Sequence, residues 1–373
     1  MKKLLLPLAF ASIAATSWAV TPLWLRDVKI SPDGSSIAFT YKGDIYKVAA
    51  NGGTAQRLTT QPSYESNPVW SPDGKSIAFA SDRNGNMDVY LMSANGGNAT
   101  RLTTNSTNEI PESFTPDGKN VLFSAAIQDV ASSAQFPSSR LTEVYSVPVT
   151  GGRITQLLST PALQISYSPD GDFFLYNDQK GFEDEWRKHH TSSVTRDVWR
   201  YDTKTGKHTN LTNRAGEDRN PVMSVDGKTV YLLSERNGNT FNVYSFPIDN
   251  PSAAKQLTNF KTHPVRFLSQ GADGTLAFTY DGEIYTKKGD AAPRKVNIDL
   301  MLDEENPVKK YSVSSSSGAT VSPDGKQVAF TNRGELFVTS VEYPTTKQIT
   351  STPAAERQPA WAPDNRTIAY TSE

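Results

Sequence analysis

The sequence predicts an all-β protein, a six-bladed β-propeller followed by the first one to two blades of a second propeller. Three observations carry that prediction. A Ser/Thr-Pro-Asp-Gly tetrad recurs along the chain, short apolar runs of strand character follow each copy, and 24 Gly and 23 Pro in 373 residues supply many turns.

The full tetrads are Ser31-Pro32-Asp33-Gly34, Ser71-Pro72-Asp73-Gly74, Thr115-Pro116-Asp117-Gly118, Ser168-Pro169-Asp170-Gly171 and Ser322-Pro323-Asp324-Gly325. Weaker copies stand at Ser224-Val225-Asp226-Gly227, Gly271-Ala272-Asp273-Gly274 and Ala362-Pro363-Asp364-Asn365. Their last residues lie 40 to 56 positions apart, a period of propeller blades rather than of helical solenoids. Pro presets φ for a tight turn and Gly accepts positive φ at its exit, so each tetrad joins two strands.

The rest of the unit follows in order. Runs such as Ile77-Ala78-Phe79-Ala80 and Val121-Leu122-Phe123 read as half-buried or buried strands. A hairpin signal comes next, as at Lys42-Gly43 and Asn84-Gly85, then a third strand with an apolar or aromatic pair, as at Ile45-Tyr46 and Val89-Tyr90. A third turn, Asn51-Gly52-Gly53 or Asn95-Gly96-Gly97, leads to the closing Arg57-Leu58-Thr59 or Arg101-Leu102-Thr103. Four strands and three turns make one blade.

Eight carboxylates at equivalent positions raise the question of repeated metal sites. Turn chemistry already accounts for them, and the neighbouring carboxylates of a calcium loop are missing. The sequence reading is therefore structural turns at Asp33, Gly34, Asp73, Gly74, Asp117, Gly118, Asp170, Gly171, Asp226, Gly227, Asp273, Gly274, Asp324 and Gly325, with no metal and no cofactor. Trp70, Trp199 and Trp361 are expected to pack blade against blade.

Composition limits the function. With 38 basic and 39 acidic side chains the chain is nearly neutral, which excludes nucleic-acid binding by bulk charge. Hydrophobic residues at 36% and aromatics at 10% supply a core, and the absence of Cys removes disulfides, thiol nucleophiles and cysteine-ligated metals.

The N-terminus reads as an address. Lys2 and Lys3 precede an apolar run from Leu4 to Ala15, and Ser17-Trp18-Ala19 fits signal-peptidase cleavage after Ala19. The run is shorter than the ~20 residues that span a bilayer. Residues 1–19 are thus expected to be a signal peptide, leaving a periplasmic or secreted protein with no membrane association.

Six blades are expected between about residues 22 and 302, with blade six ending near Lys295 to Leu300 and the ring closing without a strand from the far end. Asp303-Glu304-Glu305-Asn306-Pro307 and the serine-rich stretch from Ser312 to Ser317 mark a boundary. The expected domains are a propeller over 20–305 and the start of a second, seven-bladed one over 306–373; eight blades in one ring are the alternative. Blades two and five continue past the point equivalent to Glu373 into a hairpin, so the chain is expected to be the N-terminal part of something longer.

These repeats resemble those of TolB-type propellers. Three segments narrow the resemblance: Gly43-Asp44-Ile45-Tyr46 through Arg57-Leu58-Thr59; Glu185-Trp186-Arg187-Lys188 leading to Asp197-Val198-Trp199-Arg200-Tyr201-Asp202; and Arg333-Gly334-Glu335-Leu336-Phe337 through Glu342. Together they resemble the N-terminal part of a tricorn protease homologue. The resemblance implies a six-bladed and then a seven-bladed propeller ahead of a PDZ-containing serine peptidase core, with peptides as substrates, that C-terminal region as partner and a homo-oligomer as an option. The family's catalytic Ser and His have no counterpart positions here.

A search for chemistry in the residues finds no Gly-x-Ser-x-Gly, no His-Glu-x-x-His and no phosphate loop, hence no catalytic residue. His189 and His190 are adjacent, and adjacent strand residues face opposite sides, which does not make a chelating pair. Three functions follow: a noncatalytic gate and channel of an exported serine peptidase, a TolB-like protein-binding scaffold, and a propeller lyase on acidic oligosaccharides. The insertions from Ile127 to Arg140 and from Lys180 to Thr195 are expected to leave the sheets. Arg140, Arg187 and Lys188 in them are candidates for contact with a peptide carboxylate or a neighbouring domain, against a reading as solvated surface.

Overall fold

The computed structural model describes residues 21–127, 141–238, 240–301 and 318–373. Among these every regular element is a strand, and the strands form antiparallel meanders in the predicted order. Among the described residues no helix is long and apolar enough to cross a membrane. Blade one comprises Arg26–Ile30, Ser36–Tyr41, Asp44–Ala49 and Gly53–Arg57. Blades two to six begin with the inner strands Glu65–Trp70, Glu109–Phe114, Ala162–Tyr167, Asp218–Met223 and Arg266–Gln270. A seventh blade-like sheet, of four strands, runs from Thr320–Val321 to Thr346–Gln348, and Glu356–Trp361 pairs with Ile368–Ser372 as half a blade.

The first ring closes after six blades. The inner strand of blade six packs on that of blade one, the Ile30 amide donates to Ser269 Oγ at 3.1 Å, and the Ala272 amide donates to Pro32 O at 2.6 Å. One eight-bladed ring is thereby excluded. The closure differs from the sequence reading in one respect. Blade six ends at Arg294–Lys295, and Ile298–Leu300 crosses to blade one, where it pairs in parallel with Gly53–Arg57 as a fifth strand. The far end thus does contribute a strand, and it covers an edge that would otherwise present unpaired backbone groups.

The tetrads work as turns. In blade two Asp73 Oδ1 accepts from Ser71 Oγ at 2.6 Å and from the Lys75 amide at 3.0 Å, while Gly74 takes φ 69°. Blades three, four, five and seven repeat this around Asp117, Asp170, Asp226 and Asp324. Each carboxylate is satisfied inside its own turn.

Within blades, the second and third strands face an aromatic with an aromatic: Phe39 on Tyr46 at 5.7 Å, Phe79 on Tyr90 at 5.9 Å, Phe123 on Tyr145 at 5.7 Å and Phe330 on Phe337 at 5.6 Å. The closing Leu-Thr has two roles. Leu58 and Leu102 are buried between blades, and the Thr59, Thr103, Thr212, Thr258 and Thr350 hydroxyls accept third-strand amides at 2.8–2.9 Å. Trp70 and Trp361 donate to Lys29 O and Thr320 O of the preceding blades. Trp199 stacks on Tyr176 inside its own blade and packs against the apolar cluster shared by blades three and four. The apolar core is divided into slabs between blades, such as Val69 and Val89 against Phe123 and Tyr145.

Candidate functional site

The inner strands run parallel to one another around the axis, so their first residues ring one mouth and the tetrads ring the other. Each inner strand bulges one residue inside the first mouth. At that position Asp27, Asn67, Gln164, Asn220 and Phe267 have φ of 51°, 53°, 57°, 51° and 56°, a strained conformation for such residues. Glu112 is the bulged residue of blade three.

The bulged side chains reach the next blade. Asp27 Oδ2 accepts from the Asn67 amide at 3.2 Å, Glu112 Oε2 from that of Gln164 at 2.9 Å, Gln164 Oε1 from that of Asn220 at 2.8 Å, and Asn220 Oδ1 from that of Leu268 at 2.8 Å. A polar girdle thus fixes the wall at these four junctions. Strained backbone persists where surrounding bonds over-determine it.

Just outside the girdle lie Arg26, Arg219 and Arg266, each immediately before a bulge. The blade-four insertion lies across them as a strap. Its Trp186 indole sits 3.6 Å from the Arg26 guanidinium, 5.1 Å from that of Arg266 and 6.0 Å from the Phe267 ring. In a six-membered ring blade four is opposite blade one, so a blade-four side chain touching Arg26 has crossed the mouth. Glu185 pairs with Arg196 and, at 2.9 Å, with Arg219. Arg266 donates to the main-chain oxygens of Glu185 and, at 2.9 Å, of Arg187.

Charges here are perturbed by burial and by one another. Burial lowers the Arg26 guanidinium to about 10 against the pull of Glu373. Burial, with Arg219 and Arg26 adding, lowers that of Arg266 to about 9. Both stay charged at neutral pH. Burial pushes the Glu185 carboxyl up, but Arg219 and Arg196 outweigh it and hold it below its ordinary value.

The second propeller unit meets the same face. Arg357 lies 5.1 Å from the Trp186 ring, and Arg26 pairs with Glu373. Lys42 of blade one pairs with Glu335 and donates to Thr352 O at 2.7 Å.

The sequence-derived candidates fall differently. Arg140 lies outside the described residues, as does nearly all of the insertion that ends with it. Arg187 is not solvated surface: its side chain is 1% exposed, 2.5 Å from Glu217 and 3.0 Å from Glu235. Burial lowers its affinity for the proton, yet Glu217 and Glu235 outweigh that and raise it. It serves as the strap's anchor on blade five. Lys188 is exposed. His189 and His190 are exposed on the strap, and among the described residues no three His, Asp or Glu side chains cluster to hold a metal. Sequence reasoning missed Arg26, Trp186, Arg219 and Arg266; a Glu-Trp-Arg run inside a polar insertion was the available signal.

Comparison with known proteins gives the context. The model of the tricorn protease N-terminal beta propeller domain matches residues 22–292. The uncharacterized peptidase YuxL of Bacillus subtilis (strain 168) is 25% identical over 224 residues, 60% of this chain and 31% of its own length. The uncharacterized protein Atu1656 of Agrobacterium fabrum is 31% identical over 218 residues, 55% of this chain and 66% of its own. The chain thus spans less than two thirds of either relative. The crystal structure of the tricorn protease superposes with a TM-score of 0.63 at 23% identity, over 89% of this chain and 32% of that one. The putative TolB from Agrobacterium tumefaciens gives 0.53 at 20% identity, over 65% of this chain and 84% of that one; both likenesses concern the fold. The six-bladed ring and the matched residues agree: the chain belongs to the family of the tricorn protease N-terminal β-propeller domain.

Proposed function

We propose that this chain is the noncatalytic, substrate-gating propeller region of an exported tricorn-like serine peptidase that acts on peptides. The observation that carries the reading is the strap from blade four, held across the ring mouth by Trp186 and Arg26 on opposite blades. A mouth spanned in this way admits chain ends and short segments, not folded proteins. Catalysis would belong to a PDZ and peptidase region outside this sequence, and the Lys2-Lys3 leader supports a periplasmic or secreted location.

Two measurements test it. Purified residues 20–373 are incubated with a mixed peptide library and read by mass spectrometry; no cleavage is expected, because the sequence offers no recognisable nucleophile and base motif. Cleavage abolished by one substitution in this chain overturns the noncatalytic part. In the longer protein, Trp186→Gly should raise turnover of long peptides more than of tripeptides. Equal effects on both lengths overturn the gate, and capture of folded proteins without any peptide turnover supports the TolB-like scaffold instead.

A further inference from the structure

The geometry points to a binding site for an acidic-aromatic peptide segment at this mouth, filled in cis by the strap's own Glu185-Trp186. The inference deepens the peptide-handling reading and rests on it.

The contacts are those by which a peptide in trans would be recognised. The carboxylate of Glu185 is held by Arg196 and by Arg219, the latter at 2.9 Å, the charge-assisted pairing that suits a carboxylate. The indole of Trp186 lies over Arg26 at 3.6 Å, with Arg266 and Arg357 each at 5.1 Å. Main-chain oxygens on either side of Trp186 accept from Arg266. Arg196 and Arg219 thus hold the acid, Arg26 and Arg357 the aromatic, and Arg266 both the aromatic and the backbone.

The wall also rests on contacts that Glu185 and Trp186 do not supply. Arg219 has 5% side-chain exposure and rests 4.2 Å from the Phe241 ring, whereas the Glu185 side chain is 46% exposed. The bound element is thus the peripheral partner and the receptor is the buried one. Arg187, locked between Glu217 and Glu235, tethers the strap next to the pair that would withdraw. With Glu185 withdrawn, Arg196 and Arg219 keep Glu217 at 3.8 and 4.0 Å, which Arg187 already engages. The vacated cations therefore favour an incoming acid over an empty site.

The test reads binding, not turnover, so its failure sinks the site and leaves the gate to be judged by the turnover experiment. A fluorescein-labelled peptide, Gly-Glu-Trp-Gly with capped ends, is titrated into residues 20–373 and followed by anisotropy. A strap closed nine tenths of the time weakens apparent affinity about tenfold. Combined Glu185→Gly and Trp186→Gly should therefore tighten binding by about that factor, and Arg219→Glu in the same background should abolish it. Equal affinity in the parent and the strap variant, or equal binding of a Gly-Gln-Ala-Gly peptide, overturns the proposal. Hydrogen exchange on the unaltered chain gives a second reading that needs no variant. Excess Glu-Trp peptide should speed exchange of the amides of 186–190 as the strap is displaced, and unchanged rates overturn the proposal as well.

Discussion

The carboxamide of Asn220 joins blade five to blade six through both backbone groups of Leu268: Oδ1 accepts from its amide at 2.8 Å, and Nδ2 donates to its carbonyl at 3.1 Å. The Asn220 amide in turn donates to Asn177 and Gln164 of blade four. One buried residue at φ 51° therefore ties three blades.

Replacing Asn220 with Ala leaves a buried amide and carbonyl of Leu268 without these partners and keeps the strained backbone. The expected cost is about 2–4 kcal/mol, from two lost buried hydrogen bonds. Asn220→Gly relieves the positive φ but not the lost bonds, so it should destabilise less than Asn220→Ala. Urea midpoints of the two variants check the order, and a shift within error of the parent for both refutes the girdle's role.

Trp186 should couple the strap to the second propeller unit, because Arg26 and Arg357 lie against the same indole. Trp186→Ala is expected to cost about 1–2 kcal/mol, the range of partly desolvated cation–π contacts. Amide exchange should rise both in the strap and in the strand Glu356–Trp361. Trp186→Phe should retain part of the effect. A rise confined to the strap would show that the unit is held by its other contacts with blade one, such as Lys42 with Glu335 and Arg26 with Glu373.

The closing threonines make a sharper test of repeat chemistry. Thr103 Oγ1 accepts from the buried Val89 amide at 2.9 Å. Thr103→Val keeps the shape and removes the acceptor, at an expected cost of about 1–3 kcal/mol for one orphaned buried donor. Thr103→Ser should lose much less. Thermal melts of the two variants side by side decide it, and equal losses would mean that the methyl group matters rather than the hydroxyl.

What could be read in the sequence was what repeats. The tetrads, aromatic pairs and Leu-Thr endings recur because each blade must solve the same turn and packing problem, and that recurrence made the blades and their order legible. The bulged girdle was illegible, because Asp27, Asn67, Gln164, Asn220 and Phe267 share a position and no chemistry, and in blade three Pro111 takes that position and the bulge falls on Glu112. Positive φ at such residues is imposed by contacts with the next blade, which local propensity does not encode. The parallel strand Ile298–Leu300 was missed because three residues carry no period. The ion pairs of Arg187 were illegible because its partners Glu217 and Glu235 belong to the following blade.

The turn carboxylates should set the acid limit of stability. Hydroxyl and amide hydrogen bonds hold Asp33, Asp73, Asp117, Asp170, Asp226 and Asp324 below the ordinary carboxylate range, and hold Asp364 at about 2. A lowered folded-state value means that the unfolded chain binds more protons, so stability from these groups is complete above about pH 4 and is lost as pH falls below it. Asp44 acts in the opposite sense. Burial raises it to about 6 despite Arg57, so protonating it on the way down to pH 4 stabilises the fold. The melting temperature should therefore hold or rise slightly from pH 6 to about 4 and then fall steeply. Asp73→Asn should lower the melting temperature at neutral pH and make the fall below about pH 4 shallower, because one linked proton is gone. An acid limb as steep in Asp73→Asn as in the parent would mean that the turns do not govern it.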